Sequence, residues 1–466
     1  MRRILLPLIA ATALLLTSAT ATVAAPPLPT VSVAPSVAAA GLSVTVTGAG
    51  FTPHRAVDVF FDATPAASTI TDRSGGFAAS LRVPSPASPG NHTIRVVQPV
   101  PARSAETMLT VVVPAPSDWP AYHATPDHLG YNPIENLLGP GSVGSLTRAW
   151  TVPTGLNTDS SPAVVGDTAY VGGGDGRVYA VDTATGSVRW SYAGGTYTFS
   201  SLAVVDGVVY AGISSTNDLL ALDAATGALR WSVRLSPNPY AVYSSPTVAG
   251  GVVYIGADYT MFALDAATGT TLWTASTTNY IYTAPAVADG RVFVTAFKTL
   301  YAFDAATGAQ LWTAPFSGIW FSDPVVAGGL VYVGSSDLSK LAAFDAATGA
   351  LRWSTTMAGG IAAAVAVAEG VVYANTRVGV QAVDATTGAI RWTALTGKAG
   401  YVAPAVANGV AFVGTSDGTL QAFDTATGAA LWSAATGGFI YSSPAVASST
   451  VYATTEAGSL QAYRLG

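Results

Sequence analysis

The stretch LDAATGALRW at Leu222–Trp231 returns almost unchanged as FDAATGALRW at Phe344–Trp353. Shorter copies of the form D-x-x-T-G begin at seven aspartates: Asp182, Asp223, Asp265, Asp304, Asp345, Asp384 and Asp424. Eight tryptophans recur at intervals of 39 to 42 residues: Trp150, Trp190, Trp231, Trp273, Trp312, Trp353, Trp392 and Trp432. A period near 40 residues, filled with short apolar runs and turn residues, predicts a β-propeller with one four-stranded blade per repeat.

The residues of the repeated turn suit architecture better than catalysis. An aspartate at the first position accepts hydrogen bonds from the backbone of a tight turn, and glycine supplies the positive φ that the turn requires. The tryptophan four residues after the glycine lies on the outermost strand, where its large ring packs between blades. Because these turns lie on the outer rim, neighbouring aspartates are too far apart for paired acid–base chemistry. We therefore interpret the motif as a blade-forming unit.

The two ends of the repeat region predict how the ring closes. The last unit supplies three strands, SSPAVA, TVYATT and SLQAYRLG, and has no fourth. The segment LTRAWTVPTG carries Trp150 but has no companion strands before it. Pairing these two segments leaves no open sheet edge. We expect eight blades over residues 146–466, with the eighth blade closed by this N-terminal strand.

Three segments precede the ring. Residues 1–25 contain Arg2 and Arg3, then an apolar run and small residues, which is typical of a secretory signal peptide. Residues 26–114 contain short alternating strands separated by turn clusters, which predicts a β-sandwich. The stretches TGAGFTP and VPSPASPGNHTI resemble those of bacterial immunoglobulin-like modules, which usually act as spacers or adhesive arms. Residues 115–145 form a linker and a lead-in segment.

Composition restricts both function and location. The 466 residues include no cysteine, which excludes disulfides, thiol catalysis and thiolate metal sites. The formal net charge is −6 and the lysines number only three (Lys298, Lys340 and Lys398), so no basic surface for nucleic acid is expected. Beyond the signal peptide, no segment is apolar enough to cross a bilayer. We expect a monomer that is secreted, extracellular or periplasmic, and has no membrane anchor.

The repeats A-x-D-x-x-T-G-x-x-x-W resemble those of the pyrroloquinoline quinone (PQQ) repeat propellers. The segment DWPAYHATPDHLGYNP at Asp118–Pro133 resembles the lead-in of many such propellers, so the resemblance covers residues 118–466. The family includes quinoprotein alcohol and glucose dehydrogenases and also cofactor-free relatives, such as a lipoprotein of the outer-membrane barrel-assembly machinery. The dehydrogenases hold PQQ with a vicinal cysteine disulfide, a tryptophan floor and a calcium or lanthanide ion. Because this chain has no cysteine, and no histidine after His128, we expect no cofactor and no metal.

The connections that enter the inner strands lie on the face opposite the repeated turns. The residue before each S-S-P-type strand is, in chain order, Asp159, Phe199, Tyr243, Tyr282, Phe321, Ile361, Tyr401 or Tyr441. Further rings flank five of these positions: Tyr197, Tyr240, Tyr280, Trp320 and Phe439. The aromatic members of the first set form the predicted ligand mouth: Phe199, Tyr243, Tyr282, Phe321, Tyr401 and Tyr441. Such rings stack on sugars or extended peptides; the alternative is that they pack between blades or fill the channel.

Two aspartates and two histidines are further candidates. Asp159 and Asp323 lie next to inner strands of the first and fifth blades, opposite each other, so we expect them to line the channel and not to share a metal ion. His123 and His128 are five residues apart in the lead-in segment. We expect that segment to pack under the propeller, anchored by Tyr131 and its neighbours, and not to form a metal site.

These observations predict an exported, non-catalytic binding or scaffold protein whose propeller face binds a protein, peptide or glycan. A complete ring without a recognisable catalytic arrangement of residues favours this hypothesis. The alternative is a quinoprotein oxidoreductase that uses PQQ and a calcium or lanthanide ion to oxidise alcohols or sugars.

Overall fold

A computed structural model describes residues 27–195, 200–238, 241–316, 322–396, 398 and 400–465. The signal peptide predicted for residues 1–25 lies outside these ranges. Within them, the secondary structure consists of β-strands and a single 3₁₀ helix at Val143–Ser145. No helix in the described ranges is long and apolar enough to cross a membrane. The all-β prediction is confirmed.

Residues 30–112 form two sheets around one core. The first sheet has the strand order β1 (Thr30–Ala34), β3 (Ser43–Ala49), β6 (Phe77–Arg82). The second has the order β2 (Val37–Ala39), β8 (Arg103–Val112), β7 (Gly90–Gln98), β4 (Ala56–Phe61), β5 (Thr64–Ile70). Alternate side chains of both sheets, such as Val46, Leu81 and Ile94, are buried between them. This sandwich lies within the predicted range 26–114, and its likeness to immunoglobulin modules stays a prediction.

From Leu146 onwards, the described residues form eight sheets of four antiparallel strands each. The strands of each sheet are given from the innermost to the outermost. The first four are β11 (Ala163–Val165), β12 (Thr168–Gly172), β13 (Arg177–Asp182), β14 (Val188–Ala193); β15 (Ala203–Val205), β16 (Val208–Ile213), β17 (Asp218–Asp223), β18 (Leu229–Arg234); β19 (Thr247–Ala249), β20 (Val252–Ala257), β21 (Thr260–Asp265), β22 (Thr271–Ser276); and β23 (Ala286–Ala288), β24 (Arg291–Ala296), β25 (Thr299–Asp304), β26 (Gln310–Pro315).

The other four sheets complete the ring. They are β27 (Val325–Ala327), β28 (Leu330–Ser335), β29 (Lys340–Asp345), β30 (Leu351–Thr356); β31 (Ala366–Ala368), β32 (Val371–Thr376), β33 (Gly379–Asp384), β34 (Ile390–Leu395); β35 (Ala405–Ala407), β36 (Val410–Gly414), β37 (Thr419–Asp424), β38 (Ala430–Ala435); and β39 (Ala445–Ala447), β40 (Thr450–Thr455), β41 (Ser459–Leu465), β10 (Leu146–Pro153). A short strand, β9 (Tyr131–Asn132), adds to the inner edge of β35. Each sheet is a blade, numbered one to eight in this order.

The ring closes where the two ends of the propeller meet. Strand β10 pairs antiparallel with β41, from Leu146 opposite Leu465 to Pro153 opposite Ser459. The inner strands of consecutive blades contact one another, and β39 of the eighth blade contacts β11 of the first. The eighth blade is therefore assembled from both ends of the propeller region, and its sheet has no missing strand.

Each blade is joined to the next through the tryptophan of its outer strand. Trp190 on β14 donates its indole N–H to the carbonyl oxygen of Ala224, at 2.9 Å, in the repeated turn of the second blade. The Tyr170 hydroxyl donates to the same carbonyl at 3.2 Å. A side chain on Gly227 would put its Cβ 2.7 Å from the ring of Trp190. Glycine is therefore required at this position both by the neighbouring indole and by its φ of +73°.

Both carboxylate oxygens of Asp223, in the same turn, interact with neighbouring residues of the blade. Asp223 Oδ1 accepts hydrogen bonds from the backbone N–H and the hydroxyl of Thr226, at 3.0 and 2.9 Å. Its Oδ2 forms an ion pair with Arg230 at 2.7 Å. The Arg230 guanidinium and the Thr226 donors lower the pKa of the Asp223 carboxyl to about 2. The carboxylate therefore stabilises the turn.

The contact between Gly227 and Trp190 predicts how much the free energy of unfolding falls when this glycine is replaced by alanine. Gly227→Ala places a Cβ against the Trp190 ring and strains the left-handed backbone, whereas Gly207→Ala strains a backbone with φ +72° and has open space around its Cβ. We expect Gly207→Ala to lower the free energy of unfolding by about 1–2 kcal/mol. We expect Gly227→Ala to lower it by roughly 1–3 kcal/mol more, because of overpacking. Urea unfolding measures both, and equal losses would contradict the proposed joint.

Candidate functional site

Four of the six predicted mouth residues lie together at one end of the channel, on the face opposite the repeated turns. Tyr243, Tyr282, Tyr401 and Tyr441 each occupy the connection before an inner strand. Phe199 and Phe321, with the flanking residues Tyr197, Tyr240 and Trp320, lie outside the described residues.

Tyrosines of the third and fourth blades form one aromatic cluster. The ring centroids of Tyr243 and Tyr282 are 5.5 Å apart, and Tyr282 stacks on Tyr280 at 5.9 Å. Tyr259, from the β20–β21 turn, extends the cluster with a centroid 4.3 Å from that of Tyr280. Tyr282 has 51% of its surface exposed and Tyr280 has 43%. The cluster is therefore a surface feature and does not pack into a core.

A second aromatic cluster lies on the opposite side of the mouth, on blades seven and eight. The ring centroids of Tyr401 and Tyr441 are 5.5 Å apart, and Phe439 contacts Tyr441 edge-on at 6.5 Å. Arg377, from the β32–β33 turn, lies 5.9 Å from the centroid of the Tyr401 ring. Sequence reasoning missed Tyr259 and Arg377 because it considered only the connections between blades. The turns between the second and third strands of each blade open on the same face.

The sixth blade corrects one position in the predicted set of residues that precede the inner strands. Ile361 is fully buried, and its backbone N–H donates to Ser335 as that of Ile440 donates to Thr415. Ile361 is thus equivalent to Ile440, and Ala362 holds the position of Tyr441. The prediction was shifted by one residue because IAAAVAVA contains no S-S-P signal from which to set the register.

The lead-in segment closes the channel below the mouth. Its residues 119–132 run once around the axis and form a hydrogen bond with every blade. In blade order, the blade residues are Val164, Val204, Thr247, Val287, Val326, Val367, Val406 and Val446. Most of these bonds use the inner-strand amides that face the channel, which would otherwise be without partners. The segment is therefore an integral floor of the propeller.

Histidines of the lead-in segment belong to this floor. His123 and His128 are each 1% exposed, and His123 Nδ1 lies 3.1 Å from the backbone oxygen of His128. Burial lowers the pKa of His123 to about 3 and that of His128 to about 4, so both rings are neutral at pH 7. Within the described ranges, no group of three or more potential ligands from His, Asp or Glu is arranged to hold a metal ion.

Tyr122 forms the part of the floor that faces the mouth. Its hydroxyl donates to Asp323 Oδ2 at 2.7 Å, and Asp323 Oδ1 accepts the backbone N–H of Ala284 at 2.7 Å. Serines at the equivalent position of other blades accept a neighbouring backbone N–H in the same way, as Ser201 does from Ser161 at 3.0 Å. Asp323 thus replaces a serine in a ring of interblade hydrogen bonds. Burial raises the pKa of its carboxyl.

A polar cavity of about 190 Å³ lies between this floor and the two aromatic clusters. Its lining includes Tyr122, Asp159, Asp323, Tyr282, Tyr401 and Tyr441, together with hydroxyls of the serine ring. Sequence reasoning placed the two aspartates on opposite blades, and the structure shows that they face the same cavity. The floor residue Tyr122 was missed because nothing in the lead-in sequence indicates that it enters the channel.

Asp159 differs from Asp323 in having no partner for one oxygen. Its Oδ1 is shielded from solvent and accepts no hydrogen bond from the described residues. Burial, and to a smaller extent the charge of Glu456, raise the pKa of this carboxyl to about 6. At neutral pH, Asp159 is therefore a poorly solvated carboxylate at the mouth.

This raised pKa predicts the pH dependence of a neutral substitution. A carboxyl whose pKa is higher in the folded state loses its contribution to stability as pH rises from about 4, its unfolded pKa, through about 6. We expect Asp159→Asn to raise the melting temperature at pH 7.5 and to change it little at pH 4. Thermal unfolding of both proteins across this range measures the effect. A difference that is largest at pH 4 would contradict the predicted direction.

Two family models match the chain. One, described as outer membrane protein assembly factor BamB, matches residues 193–281, 263–375, 335–401 and 376–465. The other, described as the β-propeller domain of glucose/ethanol/alcohol dehydrogenase, matches residues 119–203. The first model spans more than half of the chain.

A curated relative is similar to a shorter segment of the chain. Quinoprotein glucose dehydrogenase A of Acinetobacter calcoaceticus is 31% identical over 112 residues, which are 22% of this chain and 13% of the relative. In all four curated relatives that match, the aligned segment spans a quarter or less of the relative's own length. Their activities are therefore not transferred to this chain by these matches.

Solved structures share the fold at low sequence identity. BamB from Moraxella catarrhalis has a TM-score of 0.59 and 23% identity, over 68% of this chain and 99% of that one. Quinohemoprotein alcohol dehydrogenase ADHIIG from Pseudomonas putida HK5 has a TM-score of 0.65 and 16% identity, over 76% of this chain and 81% of that one. Likenesses at these identities establish the fold alone. With the extent of the first family model, they show that the chain belongs to the PQQ-like repeat β-propeller family.

Proposed function

We propose that the protein is an exported, non-catalytic binding protein whose propeller mouth holds a polypeptide partner. The observation that carries this proposal is the pair of opposed tyrosine clusters around one polar cavity. Large exposed rings on a soluble surface mark interaction sites, because aromatic side chains supply contact area with few rotatable bonds. The predicted signal peptide supports export. The family model described as an assembly factor supports a protein ligand.

The two clusters suit an extended ligand that crosses the mouth. Tyr243 and Tyr282 lie on blades three and four, and Tyr401 and Tyr441 lie on blades seven and eight, so the cavity separates them. A peptide that stacks on both clusters crosses above the cavity and can place one side chain inside it. The sandwich of residues 30–112 serves as a spacer or adhesive arm, the usual role of the modules that it resembles.

The second candidate function is that of a quinoprotein oxidoreductase, which the names of the curated relatives favour. The residues around the cavity do not fit PQQ. The chain has no cysteine for the disulfide that holds the cofactor in those enzymes, and the floor is Tyr122 in place of a tryptophan. The cavity of about 190 Å³ is also smaller than the roughly 300 Å³ at the lower end of cofactor sites.

Selection of peptide ligands tests the binding function. Peptides are first enriched from a displayed random library on the immobilised protein. Their affinities are then measured by calorimetry for three proteins: the wild type, the Tyr282→Ala/Tyr441→Ala double variant and Tyr131→Ala. Tyr131 lies on the opposite face, where its hydroxyl donates to Glu369. We expect the double variant to weaken binding by roughly 5- to 150-fold, because each of the two aromatic contacts contributes about 0.5–1.5 kcal/mol. The Tyr131 variant should retain the wild-type affinity.

Two results of this selection would contradict the proposal. One is the absence of enriched peptides, accompanied by specific binding to a glycan array, which would replace the polypeptide with a sugar ligand. The other is an unchanged affinity in the double variant with a lowered melting temperature. That combination would show that the tyrosines pack between blades and do not contact the ligand.

A direct cofactor assay tests the second candidate. The purified protein is equilibrated with PQQ and either Ca²⁺ or La³⁺, and dye-coupled oxidation of alcohols and sugars is followed. We expect no saturable PQQ binding and no turnover, because the cavity does not fit the cofactor. Stoichiometric PQQ binding with metal-dependent turnover would establish the oxidoreductase and overturn the proposed function.

A further inference from the structure

The cavity at the mouth contains a carboxylate without a counter-cation. Asp159 Oδ1 is buried and has no hydrogen-bond partner among the described residues. None of the ion pairs in the part of the chain that the structure describes includes Asp159 or Asp323. Glu456, the nearest source of charge acting on Asp159, is also acidic. A buried charge is normally paired, so the cavity favours a ligand that brings a positive charge.

The walls of the cavity suit an organic cation better than a metal ion. Tyr282 on one side and Tyr401 and Tyr441 on the other line it with aromatic rings, and ring faces attract ammonium groups. A calcium ion requires six to eight oxygen ligands. Among the described residues, no group of three or more His, Asp or Glu side chains is arranged to hold a metal ion.

Hydroxyl groups complete a set of acceptors that matches an ammonium group. An ammonium donates three hydrogen bonds and accepts none. Ser161 and Ser443 line the cavity, and each hydroxyl keeps a lone pair beyond the bonds it already makes in the interblade ring. With the Asp159 carboxylate, which lines the same cavity, these hydroxyls offer three acceptor groups. An arginine guanidinium has five N–H donors in one plane, so it would need more acceptors than an ammonium, and these would have to lie in that plane.

The size of the cavity fits the end of one side chain. About 190 Å³ is slightly more than the ~150 Å³ of a cavity that holds a benzene-sized molecule of six heavy atoms. The four-carbon stem and ammonium of lysine have five heavy atoms. The end of a lysine side chain therefore fits below the tyrosines with little space left over.

We propose that the cavity binds the primary ammonium group of a lysine side chain, which a polypeptide partner inserts between the two tyrosine clusters. Asp159 pairs with the ammonium, Tyr282, Tyr401 and Tyr441 enclose its stem, and Tyr122 forms the floor. This inference rests on the proposed function, because it names the chemistry of the partner at the same mouth.

Short peptides with and without the charge test this inference. The probes are acetyl-Gly-Lys-Gly-amide and the same peptide with an Nε-acetylated lysine, measured by titration calorimetry or ligand-observed NMR at pH 7.5 and low salt. We expect the lysine peptide to bind at least tenfold more tightly than the acetylated one. Equal binding of the two peptides would overturn the inference.

Two aspartate variants separate the local carboxylate from the net charge of the protein. In Asp159→Asn, the preference for lysine over acetyllysine should fall to about one. Asp289→Asn is the matched control, since Asp289 is exposed on the opposite face with φ +48°, a conformation that asparagine accepts. That variant should keep the wild-type preference. A preference that survives in Asp159→Asn, or is lost equally in both variants, would show that only general electrostatics is involved.

A free amine distinguishes the source of the ammonium group. n-Butylammonium, with n-butanol as its neutral counterpart, should bind more weakly than the lysine peptide and still require Asp159. If n-butylammonium binds as tightly as the peptide, the ligand is a small amine and the polypeptide source is wrong. If library peptides bind through the tyrosines but carry no lysine, the ammonium inference fails while the proposed function stands.

Discussion

The contact on which the rest of the structure depends is that between one blade's tryptophan and the next blade's turn. Trp190 donates its indole N–H to Ala224 and lies against Gly227, and the same relation recurs at seven of the eight joints. At the eighth joint, Trp432 donates to the carbonyl oxygen of Leu146 on the closing strand. The turn can present its carbonyl and its bare glycine only when the aspartate and threonine hold its backbone. The aspartate, threonine, glycine and tryptophan of the repeated motif are therefore parts of one interblade joint, and this explains why they repeat as a unit.

Closure of the ring leaves one end of the channel available for recognition. Inner-strand amides facing the axis need partners, and the lead-in segment supplies them by running once around the channel. Tyr122 then forms a floor, and its hydroxyl bonds to Asp323, which replaces a serine of the interblade ring. The cavity above this floor is lined by groups that the architecture does not fully use: the Asp159 carboxylate, serine hydroxyls and tyrosine rings.

Prediction succeeded where the chain repeats and failed where it does not. The all-β fold follows from the recurring tryptophans and turns, because seven copies of the motif predict strands and turns more firmly than any single segment does. Tyrosines before the inner strands could be located because S-S-P-type motifs, six of which keep the proline, mark the register of most blades. Ile361 was misplaced by one residue in the blade that lacks this motif. Tyr259 and Tyr122 were missed because they reach the mouth from a β-turn and from the lead-in segment, which carry no periodic signal.

By itself, the sequence determined the repeat unit, its turn and the way the two ends complete the last blade, since these depend on local backbone requirements and on pairing of every strand edge. Only the tertiary structure decided which side chains meet at the axis. Asp159, Asp323 and Tyr122 are far apart along the chain and share a cavity because the ring and the lead-in segment bring them to one place. Their burial, partners and protonation follow from that packing, and no local pattern in the chain specifies them.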